Sequence, residues 1–227
     1  AFKLQAIFLL PIFMVLLYTN RVKIWHLLLF PATYILTILP AVIAGRPFWQ
    51  TLTLYFQNFD TAGTALNYSS PSVYAFGGSS WAQNADTAAK IGIIAAFAVM
   101  VLIWIFLCVR RKRIKNQVIL TAALLFVVVI PFLLPHMHER YFFMADVLTM
   151  IYAVLNWTRS PLDMLTSFAS LLGYHAYLKM RYLLPMSYGS WALILVLIMA
   201  AALLFRELKD GLPGDGGKKF KMLLDKS

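Results

Sequence analysis

With 61% hydrophobic and only 13% charged side chains among its 227 residues, this chain departs from soluble domains, in which roughly a quarter of residues are charged. Its formal charge of +11 would suit a nucleic-acid partner, but the cations stand beside the ends of long apolar runs, where they fix orientation and meet anionic lipid head groups. Composition therefore excludes a soluble nucleic-acid-binding protein and predicts an all-α bundle of transmembrane helices in a single membrane domain.

A helix rising ~1.5 Å per residue needs about 17 to 25 apolar residues to cross ~30 Å of hydrocarbon, so length counts spans here. The first predicted span, 4–19, carries Pro11 and starts almost at Ala1 with no cleavage-site pattern before it. It reads as a helix cut near its outer end, and the chain is expected to be a fragment. Asn20-Arg21-Val22-Lys23 is a basic turn. The second span, 24–44, carries Pro31 and Pro40 and breaks at Gly45-Arg46-Pro47. His26 near its basic end reads as an interfacial histidine. Residues 45–88 form the one long polar segment, an external loop. Within it Phe48 to Phe56 predicts an aromatic-rich helix at the interface. The remainder is loop by its Gly, Ser, Asn and Pro content, and its aromatics Tyr68, Tyr74, Phe76 and Trp81 argue against simple disorder.

The third span, 89–109, ends in Arg110-Arg111-Lys112-Arg113-Ile114-Lys115. That block stands between two spans and so reads as a cytoplasmic anchor rather than a nucleic-acid signal. Cys108 within the span is the only cysteine, which excludes an intrachain disulfide. The fourth span, 118–134, leads through Pro131 into Pro135-His136-Met137-His138-Glu139-Arg140-Tyr141-Phe142-Phe143. The fifth, 142–157, returns to Thr158-Arg159-Ser160-Pro161. The sixth, 162–178, is interrupted by Asp163, Thr166, Ser167, Ser170, Gly173 and His175, small or polar residues that should face other helices. After Lys179-Met180-Arg181 come a seventh span, 188–205, and a Gly- and Lys-rich cytoplasmic tail, 206–227. Seven alternating spans put 14 of the Lys and Arg residues on one side and 6 on the other. The richer side is then cytoplasmic, and the His-Met-His-Glu-Arg motif and the long loop share the external face.

The motif sets two imidazoles, a carboxylate and a guanidinium at the mouth of an apolar bundle, where charges are costly to desolvate. Arg140, His136 and His138 can bind an anion, and Glu139 can orient a hydroxyl; equally, Glu139 and Arg140 can form a self-contained ion pair. His136 and His138 lie two apart and suit a metal poorly, so no metal is assigned. If the fifth span starts at the motif, Glu139, Phe142, Phe143 and Asp146 share one face. Asp146 is then a structural partner of a cation or part of a polar cavity. Lys179 and Arg181, with Lys90 and Arg46, complete a thin set of cations on the same side, each of which alone can be a snorkelling side chain. No Gly-rich nucleotide loop and no internal repeat of the transporter kind is present.

The motif, with Phe2-Lys3-Leu4-Gln5-Ala6-Ile7 and the pattern around Ala65-Leu66-Asn67-Tyr68, resembles bacterial members of the polytopic GT-C glycosyltransferases. In particular it is similar to predicted mannosyltransferases akin to the second mannosyltransferase of the glycosylphosphatidylinositol pathway. The resemblance covers essentially the whole chain, and His-Glu-Arg-Tyr is its most specific element. It implies an inverting transfer of a hexose from a polyprenyl-phosphate carrier to a glycan, lipid or protein acceptor on the external face of a bacterial cytoplasmic membrane, without a cofactor. It further implies that His136, His138, Glu139 and Arg140 lie beside the donor's phosphate and sugar, with Asp146, Lys179 and Arg181 in support. The catalytic base is expected in a first external loop upstream of Ala1, so the chain alone is expected to be inactive. The long Gly-Ser loop after Pro71 departs from commoner members and leaves the acceptor open.

Overall fold

A computed structural model of the chain describes residues 8–57, 65–77, 81 and 83–210. Residues 1–7 of the first predicted span, 58–64 and 78–80 of the long loop, and 211–227 of the tail lie outside them. The described residues form eight α-helices: α1 (Leu10–Tyr18), α2 (Leu29–Ile43), α3 (Phe48–Gln57), α4 (Ala85–Val109), α5 (Asn116–Leu133), α6 (Phe143–Leu155), α7 (Ser160–Lys179) and α8 (Met186–Asp210). The all-α expectation holds, with one small exception. Asn67–Tyr68 (β1) pairs in parallel with Met137–His138 (β2).

Seven membrane-crossing helices were expected, but among the described residues four are long and apolar enough to cross: Ile24–Ile43, Ala85–Val109, Asn116–Leu133 and Met186–Lys209. Of the other three expected spans, the first lies partly outside the described residues. The described part of the first is a nine-residue helix. The fifth, α6, has 13 residues and reaches only ~20 Å because Asn156 leaves the helix with extended backbone. The sixth, α7, has 20 residues but carries too many polar ones. Pro161 starts α7 in its first turn, where a missing N–H costs nothing.

The core is built on α5, whose β-branched and aliphatic run Thr121–Phe132 is buried all round. Val118, Ala122, Phe126 and Val127 pack with Leu162 and Ala169 of α7 and with Leu193, Val196, Ala200 and Leu204 of α8. Of the residues of α7 expected to face other helices, Thr166, Ser170 and Gly173 are buried, with Ala169 and Ala176 beside them, while Asp163, Ser167 and His175 are half-buried. α2 and α4 instead turn Leu29, Leu36, Ile43, Ile94, Leu102 and Val109 outward, each at least 59% exposed. A two-helix apolar rim of this kind has its natural solvent in lipid.

Side-chain contacts sort the helix ends into two groups. At one end Arg21 donates to Asn116 and to the Ile114 carbonyl, Arg113 to the Leu208 carbonyl, and Arg159 pairs with Glu207. At the other, Tyr74 donates to the Leu133 carbonyl and Ser190 to the Ser72 carbonyl. The chain thus runs back and forth between a basic end and the end bearing the motif, even where a helix is too short or polar to count as a span.

Candidate functional site

α5 stops at Leu133 because Pro135 excludes helical backbone at Leu134, which is extended at φ −70°, ψ 140°. His136 then takes a left-handed conformation, φ 60°, that a non-glycine side chain adopts at a cost. Contacts to the long loop hold it there: its N–H donates to the Leu66 carbonyl (2.9 Å), and its Nδ1 lies 2.8 Å from the Ala65 carbonyl. Across from it Ser69 is also left-handed, at φ 53°. Asn67 brackets that turn, its Oδ1 accepting from the Ser70 N–H (2.9 Å) and its amide donating to the Ser70 carbonyl (2.8 Å). The two segments therefore brace one another, and residues 65–70 of the long loop are folded onto the motif.

His138 lies face to face with Tyr68, ring centroids 4.6 Å apart and 17° from parallel, and at a tilt to Tyr141. Its Nδ1 is 3.9 Å from Glu139 Oε2, an electrostatic contact too long for a hydrogen bond. Burial, and next the Arg140 charge, lower the His138 pKa from its usual value against the opposing pull of Glu139. Glu139 is 3% exposed, and its Oε2 has no hydrogen-bond partner among the described residues. Buried carboxylate oxygens are normally satisfied, which sets this one apart. Arg140 is half-buried and already engaged within the chain.

Glu139–Phe142 is a 3-10 turn, and α6 begins only at Phe143. This corrects the expectation that Glu139, Phe142, Phe143 and Asp146 share a face. A 3-10 turn aligns residues three apart, so Glu139 and Phe142 are both buried, whereas Phe143 points outward at 57% exposure. Asp146 does turn inward, where Ser170 of α7 donates to its Oδ1 at 2.8 Å. One turn on, Thr149 donates to Asp163 at 3.3 Å. Tyr174 lies within electrostatic reach of both Asp146 and Glu139, which joins the motif to a polar seam between α6 and α7.

Among the described residues none of the outlying cations forms a salt bridge with the motif. Lys179 ends α7 and Arg181 follows it, both exposed. Lys90 is taken by Asp86 on its own helix at 2.6 Å, and Arg46 is exposed beyond α2. Among the described residues no three His, Cys, Asp or Glu side chains are grouped to hold a metal ion.

Sequence reasoning missed a second polar cluster, at the basic end. Thr121 donates to Glu207 Oε2 at 2.7 Å, which leaves the Tyr152 hydroxyl to donate to Thr121. Arg159 closes the group, 3.1 Å from Glu207 Oε1 and 5.0 Å above the Tyr152 ring. The available signal was a carboxylate near the end of the last apolar helix and an arginine in a connecting turn, which need each other if both are buried. The chain matches no protein-family model, and no curated protein or solved structure is similar to it at a significant level.

Proposed function

We propose that the motif end binds a polyprenyl-phosphate-linked sugar and that the protein serves as a GT-C-type inverting glycosyltransferase, moving a mannose-like hexose to an acceptor on the external face of a bacterial cytoplasmic membrane. The observation that most supports this reading is the buried Glu139 with its unpartnered Oε2, set beside His138 and Arg140 at the end of an apolar bundle. A sugar hydroxyl is the donor such an oxygen lacks, and Arg140 can grip a phosphate with two parallel hydrogen bonds. Tyr68 and His138 supply flat apolar faces beside them. The donor's lipid tail has the exposed apolar surfaces of α2 and α4 to lie on. The base that such a transfer needs is assigned to no residue of this chain.

The test is Arg140→Ala assayed at donor concentrations well below saturation. Loss of a charge-assisted contact of about 1.5 to 3 kcal/mol should weaken productive donor binding roughly 10-fold to 150-fold. Arg140→Lys should also be impaired, because an ammonium offers only a point charge. Donor binding by Arg140→Ala within a factor of two of the parent would remove the phosphate role. A second reading, a carrier for lipid-linked glycans, draws on the polar seam of Asp146, Ser170, Thr149 and Asp163 between α6 and α7. Movement of an intact lipid-linked glycan across vesicles without sugar transfer would favour it.

A further inference from the structure

We propose that the basic end carries a separate site for one anionic phospholipid, with its phosphate between Arg110, Arg111 and Arg113. A cavity of about 620 Å³ opens there, lined by Tyr18, Cys108, Val109, Arg110, Arg111 and Arg113. No lining residue is acidic, so its field has one sign. The three arginines are exposed, but each guanidinium is held by a contact. Arg111 lies 5.6 Å over the Tyr18 ring, Arg110 5.5 Å over the Phe106 ring, and Arg113 donates to the Leu208 carbonyl at 3.3 Å. The turn Arg111–Arg113 is 3-10 and holds them on a short arc. Each contact uses one face or one N–H and leaves the rest of a five-donor fork for an anion. Three forks around one cavity suit a phosphate group better than a single carboxylate.

The apolar surface next to the cavity decides between a lipid and a soluble phosphate. One turn along α1 from Tyr18 lies Met14, 43% exposed, and one turn along α4 from Val109 lies Ile105, 47% exposed, followed by Val101 and Leu102. These residues continue the cavity as an exposed apolar strip running away from the charges, the form that acyl chains beneath a phosphate need. The site is at the opposite end from Glu139 and does not depend on the transferase reading.

The full chain, purified in a neutral detergent and stripped of lipid, is titrated with phosphatidylglycerol or with phosphatidylcholine and read by native mass spectrometry. One phosphatidylglycerol should bind tightly and phosphatidylcholine weakly. Arg110→Gln with Arg111→Gln should weaken phosphatidylglycerol binding about tenfold or more, while Lys23→Gln with Lys115→Gln, nearby cations outside the cavity, should leave it unchanged. Tyr18→Leu keeps every charge but removes the platform under Arg111 and should weaken binding about threefold, a readout that survives if the arginine variant fails to fold. Equal losses in the two charge-deleted pairs would mean diffuse surface charge and overturn the proposal. So would unchanged binding by Tyr18→Leu, lack of preference for phosphatidylglycerol, or its displacement by millimolar inorganic phosphate.

Discussion

Glu139 is buried with one carboxylate oxygen unmet among the described residues, which costs the folded protein stability. Glu139→Gln, which removes the charge and keeps the shape, should leave thermal stability unchanged or raise it by up to about 1–2 kcal/mol while lowering donor binding. A fall in both would make Glu139 a structural residue. His138 makes one contribution to the pH dependence. Its pKa is lowered in the folded state, so below about 6.5 the unfolded chain takes up a proton that the folded site resists. That contribution should be full above this pH and be lost as pH falls from about 6.5 through the folded value. Unfolding midpoints in detergent of the parent and of His138→Phe at pH 7.5 and 5.5 check this: relative to the variant, the parent should lose stability between the two. The residues of the motif were legible because charge at the mouth of an apolar run is costly. Their relation to Tyr68, Ser69 and Asn67 was not, since it rests on two left-handed residues and a parallel pairing 70 residues apart in sequence.

At the scale of elements, close approach between helices decides what the fold tolerates. A Cβ placed on Gly92 of α4 would stand 1.7 Å from the Tyr74 hydroxyl and 2.7 Å from the Leu133 carbonyl oxygen. Tyr74 would lose its bond to Leu133, and α4 would have to move off α5, since a backbone oxygen cannot swing aside. Gly92→Ala should cost about 1–3 kcal/mol, seen as a lowered midpoint of thermal unfolding, whereas an unchanged midpoint would mean the helices are not packed this closely. Glu207→Ala should be at least as damaging, at about 3–5 kcal/mol, because Arg159 and Thr121 lose the carboxylate between them while Arg159 stays mostly covered. The long helices were legible from apolar run length, and the weakness of α7 from its polar residues. What escaped was the 3-10 turn at Glu139–Phe142, which shifts the register of α6 so that Phe143 leaves the buried face. Apolar periodicity cannot show such a change, because Phe142 and Phe143 are the same residue type.

At the scale of the whole molecule, the two ends of the bundle differ in charge. Among the described residues Arg21, Lys23, Arg110 to Arg113, Lys115, Arg159, Arg206 and Lys209 stand toward one end, and Arg46, Lys90, Arg140, Lys179 and Arg181 toward the other. If the positive-inside tendency holds for this chain, the motif end faces outward. In a Cys108→Ala background, Gln83→Cys should react with an impermeant thiol reagent in intact cells, and Lys115→Cys only after permeabilisation. The reverse pattern would invert the protein. The back-and-forth course of the chain was legible from the spacing of basic turns, although α6 lacks the length and α7 the apolarity to cross alone; neighbouring helices, invisible in a local window, supply their burial. The most direct measurement uses a photoactivatable polyprenyl-phosphate mannose reconstituted with the full chain in nanodiscs. After irradiation, labelled peptides are mapped by mass spectrometry, with and without excess unlabelled donor. The account predicts competable labelling of the peptides holding Tyr68 and His138 to Tyr141, lost in Arg140→Ala. Labelling confined to the Arg110–Arg113 end, or labelling that excess donor does not displace, would contradict it.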